Sequence, residues 1–195
     1  MLQTTQLIGF GGGVSGGLSA LTSITAAMWD GTTSEYTLSN DDVVKHQQTT
    51  SNFANIRIKH ATAPVLDGDF VWQYTQTGDM GGNTDSSYGF FDITEDSTWA
   101  AAGYRQGLNS MTDSYWINAD GVETFETLEG GTVLTTDIAF NTDDLFKWQR
   151  VGTTLTLSVA DSVVQTWTGT SESLRFCVSG FTVNKANISD IQFQN

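Results

Sequence analysis

From Tyr36 to the C-terminus, apolar and polar residues alternate in short runs of period two, as in strands that bury one face. Asn55 to His60 alternates in this way, and Asp69 to Thr75 places Phe70, Trp72 and Tyr74 on one side of an extended chain. Tyr88 to Ile93, Tyr115 to Asn118, Val122 to Thr127 and Thr132 to Ala139 continue the series. Between them lie turn clusters such as Met80-Gly81-Gly82-Asn83 and Asp120-Gly121. Leu145 to Arg150, Thr153 to Ala160 and Val163 to Thr168 follow, joined at Val151-Gly152 and Asp161-Ser162, which predicts a three-strand meander. Leu174 to Val178 and Ile188 to Phe193 supply two more strands. Helical stretches at 18–27 or 99–102 are too short to be stable alone. The pattern predicts an all-β fold, an antiparallel two-sheet sandwich.

Residues 1–35 depart from this alternation. They contain no Lys or Arg and carry seven Gly, which reads as an arm (1–35) ahead of a sandwich domain (36–195). Leu7, Ile8, Phe10, Gly11, Gly12 and Gly13 are the candidates for docking that arm on a partner. The same stretch lacks the basic start of an export signal and any apolar run of membrane-spanning length, so synthesis in the cytoplasm and no membrane insertion are expected.

Composition narrows the partners. The chain has 195 residues, with 8 Lys and Arg against 22 Asp and Glu, a formal charge of −14. Nucleic acid and anionic membranes are poor partners for such a surface. Charged residues make up only 15% where ordinary domains carry about 25%, so hydroxyls and amides supply most of the polarity. Six Trp, five Tyr and eleven Phe provide for a substantial core. The single Cys177 excludes an intramolecular disulfide and a multi-cysteine metal site; lying between Phe176 and Val178, it reads as a small core residue.

The segments LFKWQRVGTTLTLSVADSVVQTW (145–167), LRFCVSG (174–180) and NISDIQFQN (187–195) resemble the late strands of concanavalin A-like jelly-roll domains, including the SPRY-type variants of phage structural proteins. DFVWQYT (69–75) and SSYGFFDI (86–93) resemble the early aromatic strands of that fold. The opening QTTQLIGFGGG is similar to the starts of small virion proteins of marine tailed phages. These resemblances imply a jelly-roll β-sandwich acting as a non-enzymatic structural protein of a tailed-phage virion. It would decorate the capsid or form a tail-associated appendage, in several copies, docked through its arm on other virion proteins. The alternative they imply is a lectin-like module binding host surface glycans, since the fold hosts both roles.

Three enzymatic motifs fail on inspection. Gly11-Gly12-Gly13-Val14-Ser15-Gly16 satisfies a dinucleotide fingerprint in letters but lacks the buried strand and βαβ unit it requires. Glu123, Glu126 and Glu129 invite a glycosidase reading, yet Glu126 falls on the opposite face from Glu123, and Glu129 lies roughly 20 Å from it along an extended strand. These carboxylates read instead as a solvated acidic strand edge. His46 and His60 have no nucleophile setting near them. No catalytic residue, cofactor site or metal site is assigned. Asp67-Gly68-Asp69, Asp79 to Asp85 and Asn141-Thr142-Asp143-Asp144 offer oxygen ligands of the kind Ca²⁺ takes, with Asx turns as the plainer reading. For a glycan, the candidate stacking residues are Tyr88, Trp99, Tyr104, Tyr115 and Trp116, aromatics beside polar turns.

Overall fold

The computed structural model describes residues 20–31, 36–39, 41–45, 54–58, 66–78, 80, 86–95, 111–119, 121–180 and 187–195. Fifteen strands run through them: β1 (Thr22–Ser23), β2 (Trp29–Gly31), β3 (Tyr36–Ser39), β4 (Asp42–Lys45), β5 (Ala54–Ile58), β6 (Phe70–Gln76), β7 (Ser86–Asp92), β8 (Ser114–Ala119), β9 (Thr124–Glu129), β10 (Thr132–Ala139), β11 (Leu145–Val151), β12 (Thr154–Val159), β13 (Ser162–Thr168), β14 (Leu174–Gly180) and β15 (Ile188–Gln194). One sheet has the order β13-β12-β11-β6-β15-β4-β3, with β1 also pairing β15; the second has the order β10-β9-β8-β7-β14-β5-β2. Every pairing is antiparallel. Two antiparallel sheets face to face are the sandwich the alternation predicted.

The core lies between the sheets and is aromatic. Phe70, Trp72 and Tyr74 of β6 point inward together with Phe146 and Trp148 of β11 and meet Tyr88, Phe90 and Phe176 of the facing sheet. Trp72 sits 4.6 Å from Phe176 between ring centroids, Tyr74 stacks on Phe146 at 5.4 Å, and Trp148 stacks on Trp167 at 5.4 Å. Such ring pairs add about 0.5–1.5 kcal/mol each beyond the burial of their surface.

Beneath the other face of the second sheet a small separate cluster forms from Phe91, Met111, Trp116, Leu128 and Cys177. Cys177 is buried and in no disulfide, as its position in an apolar strand suggested.

The structure changes two boundaries. Residues 22–31 are not part of an arm: Thr22 pairs with Phe193 and Trp29 with Ile58, and Trp29 is buried against Phe176. The sandwich therefore begins before residue 36. At the β12–β13 hairpin the turn falls on Ala160 and Asp161, one residue earlier than expected. Val159 pairs with Ser162, so the two loop residues must take positive φ, 47° and 65°, as a type I′ turn demands. The helical expectation over 18–27 reduces to a single 3-10 turn, Ala26–Met28.

The two outermost strands at one end, β10 and β13, are irregular. Pairing of β10 with β9 shifts register twice, between Val133 and Thr135 and between Thr135 and Ile138. On β13 the shift lies opposite Leu157 and Ser158. The Gln165 side-chain carbonyl closes this end by accepting hydrogen bonds from Thr127 Oγ1 (3.0 Å) and Thr135 Oγ1 (3.2 Å) of the other sheet.

Candidate functional site

Strand alternation turns half the residues of the second sheet away from the core, and the register lines them up in rows. One row runs Arg57, Cys177, Gly89, Trp116 and Leu128 across β5, β14, β7, β8 and β9. The next row holds Ser179, Ser87, Asn118 and Glu126. Arg175 lies two residues before Cys177 and opposite Phe91. No described strand packs over this face.

The polar row is wired. Ser87 Oγ donates to Asn118 Oδ1 at 2.8 Å, and Asn118 Nδ2 donates to Glu126 Oε1 at 2.8 Å. These two bonds fix the orientation of the Asn118 amide and polarise it towards the carboxylate. Ser87, Asn118, Ser179 and Arg175 are buried, whereas Glu126 and Arg57 at the two flanks are partly exposed. Arg57 is held from the sheet edge by Asp30, 3.6 Å away. Trp116 Nε1 and Ser179 Oγ, both buried on this face, have no hydrogen-bond partner among the described residues.

Gly89 sits at the centre. A side chain there would meet Trp116 Cβ and the Tyr115 carbonyl on the neighbouring strand, so glycine is what permits the Trp116 side chain to lie against β7.

Of the aromatic residues expected to stack on a sugar, Tyr88, Tyr115 and Trp116 are buried and cannot offer a ring face. Tyr88 and Tyr115 point into the sandwich: they belong to the alternate positions that face the core, where Tyr115 packs on Trp167 and Tyr88 on Tyr74. Trp116 faces outward but is covered within the Phe91–Cys177–Leu128 cluster. Trp99, Tyr104, His46 and His60 lie outside the described residues, as do Leu7, Ile8, Phe10, Gly11, Gly12 and Gly13.

Glu126 lies on an interior strand rather than an edge, since β9 pairs with both β8 and β10. The residues that alternation concealed are Arg57, Ser87, Asn118, Arg175 and Ser179; each is the polar half of an ordinary strand pattern.

The 141–144 loop acts as a turn, with Asp144 Oδ2 accepting from Asn141 N–H at 2.7 Å, whereas Asp69 Oδ1 accepts from Gly152 N–H at 2.7 Å and ties its loop to the β11–β12 turn. Of the 79–85 loop only Met80 is among the described residues. Among the described residues no group of three or more His, Cys, Asp or Glu is placed to hold a metal ion.

A different set of acids gathers at the end of the sandwich. Glu95 accepts from the backbone N–H groups of Thr112 and Asp113, and Tyr115 donates its hydroxyl to Glu172 at 3.1 Å. Burial, with Glu172, Glu95 and Asp92 nearby, pushes the Asp113 carboxyl above the usual carboxylate range, and burial beside Glu172 pushes the Tyr115 phenol up as well. A carboxyl raised in the folded state gives up its proton first in the unfolded chain, so stability falls as pH rises through the window above about 4. Asp113→Asn should therefore raise the Tm slightly at pH 7 and leave it unchanged at pH 3, as read by thermal circular-dichroism melts.

No protein-family model and no curated protein matches the chain. Solved structures do. The TRIM65 PSpry domain superposes with a TM-score of 0.57 at 8% identity, over 86% of this chain and 87% of that one. The Ca²⁺-bound exoplasmic/lumenal domain of VIP36 gives 0.52 at 11% identity, over 86% and 82%. The GlcNAcα1-4Gal-releasing endo-β-galactosidase of Clostridium perfringens gives 0.52 at 8% identity, over 91% of this chain and 62% of that one. Domains of two other proteins and an enzyme are thus among the likenesses, and nothing in them links the chain to virion proteins. They show the fold: a concanavalin A-like, SPRY-type jelly roll of the kind lectins use.

Proposed function

We propose that this protein is a carbohydrate-binding domain. The observation that carries this reading is the shared fold: the endo-β-galactosidase with which the chain superposes acts on a glycan. The glutamates around β9 do not form the pair that glycoside hydrolysis uses. Glu123 and Glu129 are exposed residues, one preceding β9 and one ending it.

A glycan array probed with the intact chain tests this. Binding should appear for a restricted set of glycans. Binding to no glycan at millimolar density sinks the proposal. The virion role rests on the two resemblances to phage proteins, that of the late strands and that of the N-terminal opening, and no structural observation carries it.

A further inference from the structure

We infer that the carbohydrate this domain binds is an uncharged oligosaccharide lying across the outward face of the first sheet, over β13, β12, β11, β6 and β15; the inference rests on the carbohydrate-binding reading above. It starts from where the charge is not. The chain has 22 Asp and Glu, yet the four adjacent strands β13, β12, β11 and β6 contain none of them. β15 adds only Asp190, within the irregular stretch of its pairing with β6. Arg150 is buried, which leaves Lys147 as the one charge among the outward positions of those four strands. Depletion of charge marks the part of a surface that a partner desolvates, because a carboxylate stripped of water without a counter-charge costs binding energy.

Register sets the polar groups of this face in rows. Ser158, Lys147, Gln73 and Gln192 stand opposite one another across β12, β11, β6 and β15, and Thr156 faces Gln149 in the next row. All six are partly exposed. Gln73 Nε2 donates to Gln192 Oε1 at 3.2 Å, which holds both amides in place with the Gln73 carbonyl oxygen as acceptor and the Gln192 amino group as donor towards a ligand. Amides and hydroxyls both donate and accept, as sugar hydroxyls do. A protein partner is a poorer match, since the aromatic rings of β6, β11, β12 and β13 all belong to the core and none is left outside as an anchor. An anionic glycan meets the repulsion of a −14 chain, and a cationic one finds no carboxylate on these four strands. From β13 to β15 the face measures about 19 Å at ordinary strand spacing, several times the width of one sugar ring, so it fits an extended chain of sugars rather than a single terminal residue.

Calorimetry on the intact chain tests this with linear disaccharides and hexasaccharides of glucose, galactose, mannose and xylose, and with hexamers of galacturonic acid and of glucosamine. At least one neutral hexasaccharide should bind about tenfold more tightly than its disaccharide and than either charged hexamer, and Gln73→Ala with Gln149→Ala should weaken it about tenfold. In heteronuclear NMR spectra of the parent protein, the side-chain amide signals of Gln73, Gln149 and Gln192 should move as that hexasaccharide is added, a readout that requires no variant to fold. The inference is overturned by amide signals that stay in place while a glycan binds, by a charged hexamer preferred to every neutral one, by failure of all the neutral hexasaccharides while another glycan binds, or by a dimer in sedimentation that Gln149→Arg splits. Each of those results leaves the carbohydrate-binding proposal standing. Binding to no glycan of any kind ends both.

Discussion

Gly89→Ala should cost about 3 kcal/mol of stability, at the upper end of what overpacking usually takes. A methyl group at this position meets Trp116 Cβ, Trp116 Cα and the Tyr115 carbonyl on the adjacent strand, and backbone cannot swing aside as a flexible side chain can. Relief requires β7 and β8 to separate where Gly89 pairs with Trp116. That separation disturbs the bond from Ser87 to Asn118 on one side and the packing of Phe90 on Trp148 on the other. Urea unfolding should show a lower midpoint with an unchanged slope. A midpoint equal to that of the parent protein would show that β7 and β8 yield freely, and the close approach would lose its role.

The second large effect is expected at Arg150. This residue ends the inward series of β11 and is 1% exposed. Its guanidinium donates to the backbone carbonyls of Gly68, Glu172 and Leu66, and lies 5.0 Å from the Phe70 ring centroid. One side chain thus ties the segment before β6 to the segment before β14, beside the Leu66–Leu174 bridge. Burial pushes its pKa down while Asp67, Glu172 and Asp69 pull the other way, and it stays charged at neutral pH. Arg150→Met fills a similar volume and leaves three carbonyls without their donor, at about 3–5 kcal/mol. Hydrogen exchange should accelerate first around residues 66–69 and 172–174. A loss below about 1 kcal/mol would falsify the view that these carbonyls depend on Arg150.

Much of this architecture is legible before any coordinates. The runs around Phe70, Trp72 and Tyr74 and the meander from Leu145 to Thr168 alternate cleanly, because each strand is long enough to repeat its period and buries one face. β1 and β2 are two and three residues long, too short to show any period, and they are strands only because Phe193 and Ile58 lie opposite them. Tyr88 and Tyr115 were misplaced for a related reason. Their nearness to polar turns is visible in the sequence, but which face they occupy follows from pairing.

The candidate site is less visible still. Arg57, Ser87, Asn118, Arg175 and Ser179 span more than half the chain. They converge only through the order β5-β14-β7-β8-β9, which no local pattern encodes. Taken singly, each is an unremarkable hydrophilic position on a strand.

The doubled register shift in β10 and the single one in β13 bear on how this chain behaves in a crowd. A straight strand from another molecule offers its donors and acceptors at even intervals, whereas the rims here present theirs out of phase, with Asp137 turned to a φ of 57°. A would-be partner can match one or two bonds before it falls out of step. In a protein whose outer strands carry exposed Val133, Leu134 and Val163, that mismatch disfavours the joining of neighbouring sandwiches along β10 and β13.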